Sequence, residues 1–439
     1  MFNLPDTVDL ALSMLRTKGF ESCIVGGCVR DLLMGREIHD WDIASNAVPD
    51  EVKGVFSDFK IIETGILHGT VTVMVHGDAI EITTYRVDGD YSDNRHPDSV
   101  SYTRSLDEDL ARRDFTMNAV AYCPERGITD PFGGRADIEK GVIRCVGDAA
   151  NRFGEDALRI LRALRFSSTL GFEIEKNTSA AVFEKCCLLG NISAERINSE
   201  LTKLLCGDAA GRILRDFKEV LAVPIPELAP MFGFDQKNRH HCYDVWTHTV
   251  VTVENVPAVP VLRWAALLHD VGKPPSFSLD KHGEGHFYGH AVSGYMIADR
   301  AMQRLRFDNR SRERILRLIK YHDTVIGADE KNIKRWLKRF GEEFVLQLLT
   351  LKRADNLAQD EKYRERQAKI SEIEGVVKRI SAQQACVSLR DLRVNGDDMI
   401  AIGLSGRAVG EALDLLLDAV IDERVQNERD ALLEYLNAL

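Results

Sequence analysis

The hydrophobic period of this chain changes once, near residue 150, and that change restricts the fold more than any other feature. Before it, short β-rich runs (Ser22–Val25, Asp42–Ala44, Val71–Val75 and Ile80–Tyr85) alternate with Gly/Asp turns, after a helical stretch at Val8–Lys18. From Asn151 almost to the end, apolar residues recur with helical spacing and no strand is evident. The expectation is an α/β unit built on a small mixed β-sheet with helices, followed by a largely all-α remainder. A length of 439 residues exceeds what one core supports, so the helical part should itself divide. Val223–Phe234 (VPIPELAPMFGF) holds three prolines and a glycine and marks one boundary; a second candidate lies at Gln359–Lys362. The expected parts are 1–150, 151–225, 226–360 and 361–439. In the last of them, Leu413–Val420 and Ala431–Leu439 read as amphipathic helices.

The net charge of −11 provides no global attraction for nucleic acid, but Arg304–Arg339 carries 12 Lys/Arg against five Asp/Glu. Phosphate contacts are local, so one positive surface would be enough for RNA. A solvated helix face is the competing explanation of such a run. The nine cysteines are scattered without a C-x-x-C pair, and Cys186 adjoins Cys187. They read as reduced, mostly buried thiols of a cytosolic protein. Asp6, Asp9, Arg16 and Lys18 interrupt the first twenty residues, leaving no signal-peptide core, and no apolar run approaches the ~20 residues of a bilayer span. A cytoplasmic protein with no membrane partner is expected.

Candidate chemistry begins at I24-V-G-G-C-V-R-D31, where two glycines separate a short apolar strand from an amphipathic helix. Glycines let a backbone approach a phosphate, a helix N-terminus offers free N–H groups, and Arg30 adds a fork of donors one turn in. In H39-D-W-D-I43, Asp40 and Asp42 are spaced i, i+2, so in a strand they face the same side. Asp is disfavoured in strands, and a shared divalent metal is a reason for two on one face. Glu81 opens a later β-run (EITTY) and is a candidate third carboxylate. Phosphate loop, paired aspartates and a later strand carboxylate, in that order, suit phosphoryl transfer assisted by two magnesium ions.

GGCVRDLLMGREIHDWDIAS, EITTYR, RRDFTMNA (Arg112–Ala119), DPFGG (Asp130–Gly134) and EDALRILRALRF (Glu155–Phe166) resemble the successive motifs of class II tRNA nucleotidyltransferases. The bacterial poly(A) polymerases are close relatives of these. The likeness runs from about residue 20 to 207, where S193-A-E-R196 and K203-L-L-C-G207 also fit. It implies a nucleotidyltransferase head (1–150) with Asp40, Asp42 and Glu81 catalytic, and a helical neck (151–225) carrying a base-recognition motif. Glu155, Asp156 and Arg159 read as the opening of a helix, with Arg162 and Arg165 following at i+3 intervals. A carboxylate beside a guanidinium complements the donor–acceptor edge of cytosine and adenine and leaves guanine and uracil unpaired. By resemblance, Asp156 and Arg159 take that role, with Gly27, Arg30, Arg113, Arg162 and Arg165 around the nucleotide and its phosphates. For Arg113 an ion pair with the adjacent Asp114 is the structural alternative. Arg86–Arg104, charged and Gly/Pro-containing, resembles the flexible loop of full CCA adders. The implied partners are tRNA, CTP and ATP; the sequence leaves the oligomeric state open.

T247-H-T249, L268-H-D-V-G-K273, G289-H-A-V-S293, Y321-H-D323 and R353-A-D-N-L357 form an ordered series resembling the HD phosphohydrolase signature. His269-Asp270 falls in an apolar helix, where a buried charge needs a partner. The resemblance implies an HD-type helical domain (226–360) with His248, His269, Asp270 and Asp355 as ligands, enlarged by His290 and His322 to hold a second ion or a substrate phosphate. Mixed His/carboxylate ligation suits nickel, manganese, cobalt or iron. The implied reaction is metal-assisted water attack on a phosphoester. The whole reads as a CCA-adding tRNA nucleotidyltransferase with a helical tail (361–439). The alternatives are a poly(A) polymerase, a CC- or A-only adder, or an HD hydrolase with an RNA-binding head.

Overall fold

Alternate residues of Thr70–Val75 (TVTVMV) are buried, the period-two pattern of a strand covered on one face. It belongs to the first of two units, Met1–Pro226 and Glu227–Leu439, seen in the computed structural model, which describes residues 2–38, 40–66, 69–89, 99–239 and 242–438. The strands are β1 (Ser22–Val25), β2 (Trp41–Ser45), β3 (Lys60–Ile62), β4 (Thr70–Val75), β5 (Asp78–Thr84), β6 (Arg86–Asp88), β7 (Val100–Tyr102), β8 (Ala121–Cys123) and β9 (Gly127–Thr129). Seven of them form one sheet in the order β3-β4-β5-β2-β1-β8-β9. Within it only β2 and β5 are parallel; the other neighbours are antiparallel.

The two faces of this sheet have separate cores. Ile24, Ile43, Val71, Val73 and Ile82 pack with residues of α1 (Asp6–Thr17) and α3 (Pro49–Val55), among them Leu12, Leu15 and Val52. Their chain neighbours Cys23, Val25 and Ala44 join Tyr85 and Leu110 on the opposite face. Between them, α2 (Gly27–Leu33) starts at the end of β1, and α4 (Leu106–Ala111) and α5 (Gly134–Lys140) follow. The helical remainder of the unit is α6 (Ala149–Glu155), α7 (Leu158–Leu170), α8 (Lys176–Lys185), α9 (Ala194–Leu205), α10 (Ala210–Asp216) and α11 (Lys218–Leu221).

The second unit contains α12 (Val245–Asn255), α13 (Pro260–Leu268), α14 (His290–Arg304), α15 (Asn309–Tyr321), α16 (Glu330–Phe340), α17 (Glu342–Leu357), α18 (Arg366–Ala382), α19 (Gly396–Ala401), α20 (Arg407–Ile421) and α21 (Arg429–Asn437). The two amphipathic tail segments lie in α20 and α21, Leu439 being outside the described residues; Leu416, Leu417 and Leu432 join Met399 in a core of their own. No helix among the described residues is long and apolar enough to cross a membrane.

Four expectations need correction. Strand structure does not end at residue 150: Glu173–Ile174 pairs in parallel with Val142–Ile143, and Ser278–Leu279 pairs with Gly285–His286. Two-residue strands are too short to leave a period in the sequence. The cysteines are not all reduced: Cys23 is bonded to Cys123 across 100 residues, because β1 and β8 are antiparallel neighbours in a register that sets these residues side by side. Nor are the free thiols mostly buried, since only Cys28 and Cys145 of the seven are. Finally, Glu155, Asp156 and Arg159 do not open one helix. The helix breaks at Asp156, whose backbone is extended (φ −128°, ψ 102°) and whose Oδ1 accepts the Leu158 N–H.

Candidate functional sites

The carboxylates of the head are brought together by strand register. β2 and β5 run in parallel with Asp42 opposite Glu81, so both project from the same face, and Asp40 immediately precedes β2. All three line one cavity of about 670 Å³. Burial pushes the Asp42 carboxyl up to about 6; Arg113 opposes the shift, while Glu81 and Asp40 add to it. A carboxylate cluster held at such a cost fits a divalent cation, whose charge reverses the penalty. His39, the first residue of the H-D-W-D run, lies outside the described residues.

The glycine that the geometry requires is Gly26. Its φ is +76°, and a Cβ there would lie 2.8 Å from Nη1 of Arg113 and 3.9 Å from Oδ2 of Asp42. Gly27 is the first residue of α2 and its nearest neighbour would be Nη2 of Arg30 at 3.7 Å, so the close approach belongs to its predecessor. Arg113 pairs with Asp109 at 3.3 Å, one turn back, and not with the adjacent Asp114.

The expected arginines surround the same cavity, each held by an acid or amide. Arg30 donates to Asp31 and, through Nη1, to Oδ1 of Asn118 at 2.9 Å. Arg162 pairs with Asp114 at 2.6 Å and Arg165 with Glu200 at 2.7 Å. Asp114 also accepts the Asn118 amide at 3.0 Å, so one buried carboxylate links the Arg162 and Arg30 settings. Burial alone would raise Asp114, but Arg162, the Asn118 hydrogen bond and Arg159 outweigh it and hold the carboxyl down at about 2.

Asp156 and Arg159 line this cavity too, each bonded to other residues. Asp156 Oδ2 accepts from Arg196 of α9 at 3.1 Å, and Arg159 donates to Glu155 at 2.6 Å and to the carbonyls of Arg152 and Arg112. Asn118 and Arg196 were legible only as letters of the RRDFTMNA and SAER motifs, and Asp114 only as an alternative partner of Arg113. Phe166, the last residue of the EDALRILRALRF run, reaches the cavity as well. Its ring lies 5.0 Å from the Arg30 guanidinium, 5.3 Å from that of Arg162 and 4.0 Å from that of Arg165. The Arg86–Arg104 segment contains the β6–β7 ladder, and its residues 90–98 lie outside the described residues.

A second cluster lies wholly within Glu227–Leu439. His248 on α12, His269 and Asp270 at the end of α13, and Asp355 on α17 converge. His248 Nε2 is 2.9 Å from Asp355 Oδ1, 3.3 Å from Asp270 Oδ2 and 3.4 Å from His269 Nε2. His290 and His322 approach the other Asp270 oxygen at 3.6 and 3.7 Å, and their Nε2 atoms are 3.1 Å apart. Backbone contact makes this possible. A Cβ on Gly272 would fall 2.2 Å from the His290 carbonyl oxygen, so only glycine lets the end of α13 approach the start of α14.

All four histidines share one tautomer. Each Nδ1 faces a backbone carbonyl: Ala358 for His248 (3.1 Å), Ala266 for His269 (2.8 Å), Phe287 for His290 (2.9 Å) and Ile319 for His322 (2.7 Å). A carbonyl only accepts, so Nδ1 carries the hydrogen, and each ring turns its Nε2 inward, the atom that can serve as a metal ligand. Two such Nε2 pairs within 3.4 Å repel unless a cation lies between them and the carboxylates. Neither buried Asp270 oxygen accepts a well-formed hydrogen bond. The donor groups His248, His269 and Asp270, and Asp270, His290 and His322, would each fit a divalent ion. Lys273, part of the L-H-D-V-G-K run, adds a cation 2.7 Å from Asp270 and is steadied by Gln236. The basic run Arg304–Arg339 is largely neutralised: Arg304, Arg312, Arg314, Arg317, Lys331, Lys334, Arg335 and Lys338 are all in ion pairs. It behaves as the solvated face that was the competing explanation.

Residues 22–144 match the Poly A polymerase head domain, 171–231 the probable RNA and SrmB-binding site of polymerase A, and 239–360 the HD domain. The CCA-adding enzyme of Leuconostoc citreum is 35% identical over 430 residues, which is 98% of this chain and 94% of that enzyme. The chain belongs to the family of CCA-adding enzymes. Local similarity to family members is higher: the CCA-adding enzyme of Geobacillus thermodenitrificans is 51% identical over 262 residues, 60% of this chain and 62% of that enzyme. That match spans less than two thirds of the relative's length. The crystal structure of the Bacillus stearothermophilus CCA-adding enzyme in complex with CTP superimposes with a TM-score of 0.73 at 30% identity, covering 98% of this chain and 96% of that one. The Thermotoga maritima CCA-adding enzyme complexed with tRNA_CCA shares the fold, with a TM-score of 0.57 at 21% identity over 99% of this chain and 96% of that one.

Proposed function

We propose that this chain adds C, C and A to the 3′ end of tRNA from CTP and ATP without a nucleic-acid template. The observation that carries the reading is the Asp42–Glu81 register across β2 and β5, which gathers three carboxylates in the cavity that Asp156 and Arg159 also line. Asp40 and Asp42 would hold magnesium, with Glu81 assisting, and that metal would acidify the attacking hydroxyl and neutralise the leaving pyrophosphate. The tRNA 3′ oxygen bonds to the α-phosphorus as the α–β phosphoanhydride bond breaks. Arg30, Arg113, Arg162 and Arg165 orient the triphosphate beside Gly26 and Gly27. Asp156 and Arg159 read the base, and Arg159 exchanges one of its present contacts for the nucleobase edge. A four-part division at 151, 226 and 361 and a cytoplasmic location, where tRNA is met, accompany this reading.

Incubation with tRNA ending at the discriminator base tests it. CTP alone should add two residues, CTP with ATP three, and extension should then stop. A long A ladder would instead favour a poly(A) polymerase.

The histidine cluster favours a second activity, hydrolysis of a phosphoester. His248, His269, Asp270 and Asp355 would hold one transition-metal ion (nickel, manganese, cobalt or iron), and His290 and His322 with Asp270 would hold a second ion. Bound there, such ions supply an acidified water. Lys273 keeps Asp270 ionised and turned to the centre. Release of inorganic phosphate from adenosine 3′-monophosphate, lost in His269→Ala, is the expected result; none with any of the four metals defeats the reading.

A further inference from the structure

The histidine–aspartate cluster is closed on most sides. The side chains of His248, His269 and Asp270 are 0 to 1% exposed, whereas that of Asp355 is 20% exposed. Asp355 and His322 both line a cavity of about 390 Å³, at the small end for small-molecule sites. One ligand from each half of the cluster thus borders the same space.

The far wall of that space is α18, beyond the stretch 239–360 that matches the HD domain. α18 is fastened to α17: Arg353 pairs with Glu374 at 2.8 Å, and Gln367 donates to the Arg353 carbonyl and to Asn356 Oδ1. That docking brings Arg366 and Lys369 to the cavity beside Lys352 of α17. Among the described residues neither Arg366 nor Lys369 makes an ion pair, unlike most of the basic residues along α15 and α16. Arg366 donates to Gln359 at 3.1 Å, and Gln359 donates to Asp355 at 3.4 Å, so this cation is tied through one amide to the cluster. Leu349, Ile370 and Ile373 supply an apolar surface in the same cavity.

Three cations next to the cluster, backed by an aliphatic surface in a space this small, suit a phosphate carried on a flat organic group. We propose that α18 completes a nucleoside-phosphate subsite, in which Lys352, Arg366 and Lys369 hold the phosphate and Leu349, Ile370 and Ile373 back the nucleoside. Its chemistry rests on the hydrolase reading above; its binding does not. Turnover adds water across the ester P–O bond. Phosphorus gains the water oxygen, the ester oxygen leaves as the nucleoside hydroxyl with a proton, and inorganic phosphate is released. The occupant is a nucleoside 3′-phosphate, either free or as the last nucleotide of an RNA strand.

The test uses the full-length, manganese-loaded protein with the head saturated by CTP. Calorimetric titration with the slowly hydrolysed adenosine 3′-thiophosphate should detect one binding event. The double variant Arg366→Ala/Lys369→Ala, which changes two exposed side chains, should weaken that event at least tenfold with manganese content unchanged. Equal affinity in the two proteins, or no binding to either, overturns the proposal. If binding weakens as expected but adenosine 3′-monophosphate releases no phosphate, the hydrolase reading fails and the subsite stands. Displacement by tRNA ending in a 3′-phosphate, and not by tRNA ending in a 3′-hydroxyl, identifies the RNA end as occupant; no displacement by either assigns the free nucleotide.

Discussion

Asp114 shows what one buried carboxylate does for a site it does not itself form. Its pull on Arg162 and its bond from Asn118 hold two cavity arginines in place, and its carboxyl is held down at about 2 against an ordinary 3.8. A depressed acid stabilises the fold above its unfolded value and loses that contribution as pH falls through its folded one. Asp114 should therefore contribute about 2 kcal/mol at neutral pH, lost between roughly pH 4 and 2. Urea titrations of wild type and Asp114→Asn should differ by about that amount at pH 7 and converge near pH 2; a constant gap down to pH 2 contradicts the assignment. Phe166 makes a related point about cations. Three guanidiniums within 5.3 Å of one ring gain roughly 0.5–1 kcal/mol each from its face. Phe166→Leu keeps the apolar packing and removes that attraction, so KM for CTP and ATP should rise about tenfold and the thermal midpoint should fall by about 2–4 °C for each kcal/mol lost. Phe166→Tyr should restore it. Neither residue was legible alone. Asp114 was read only as an alternative partner of Arg113, and Phe166 was one letter of a motif, because periodicity records which face a residue occupies and not which charges gather over it. The Cys23–Cys123 bond was hidden for a similar reason: pairing depends on strand order, and β8 follows β1 by nearly a hundred residues.

At the scale of elements, strand register accounts for what was legible in the head and helix ends for what was not. An i, i+2 pair of aspartates fixes one face of β2 locally, so Asp40 and Asp42 could be read together from sequence. The placement of Glu81 opposite Asp42 needed only that β5 lie beside β2. The E-D-x-x-R segment misled because helical spacing continues through Asp156, although the backbone there is extended and the helix restarts two residues later. That break has a consequence. Asp156 is turned toward α9, where Arg196 bonds it, so the proposed base reader depends on an element forty residues away. Arg196→Ala should leave Asp156 free to reorient. Its expected signature is a drop of about tenfold in kcat/KM for CTP together with weaker discrimination against UTP. Single-turnover incorporation of each nucleotide measures both, and Arg196→Lys should recover most of the discrimination. A uniform loss with all four nucleotides would mark Arg196 as structural only.

At the scale of the whole molecule, two candidate centres are each built entirely from one unit. The carboxylates of the head come from β2, the residue just before it and β5, and the histidine cluster from α12 to α17, including the chain just beyond α13 and α15. Their ligand chemistry differs as well. The first offers only oxygen and suits a hard ion such as magnesium, while the second offers four imidazoles and suits borderline transition metals that bind far more tightly. Metal removal should therefore separate them. Brief dialysis against EDTA should abolish nucleotide addition, and added magnesium alone should restore it fully; phosphoester hydrolysis should fall only under a stronger chelator and return only with a transition metal. The variants should divide the same way. Asp42→Ala should lower addition at least a thousandfold with the transition-metal content intact. His269→Ala should lower that content without changing the rate of CCA addition by more than about twofold. Elemental analysis and the two activity assays, run on the same preparations, decide it. Loss of nucleotide addition in His269→Ala, at unchanged thermal stability, would mean that the second centre serves the first and not a reaction of its own.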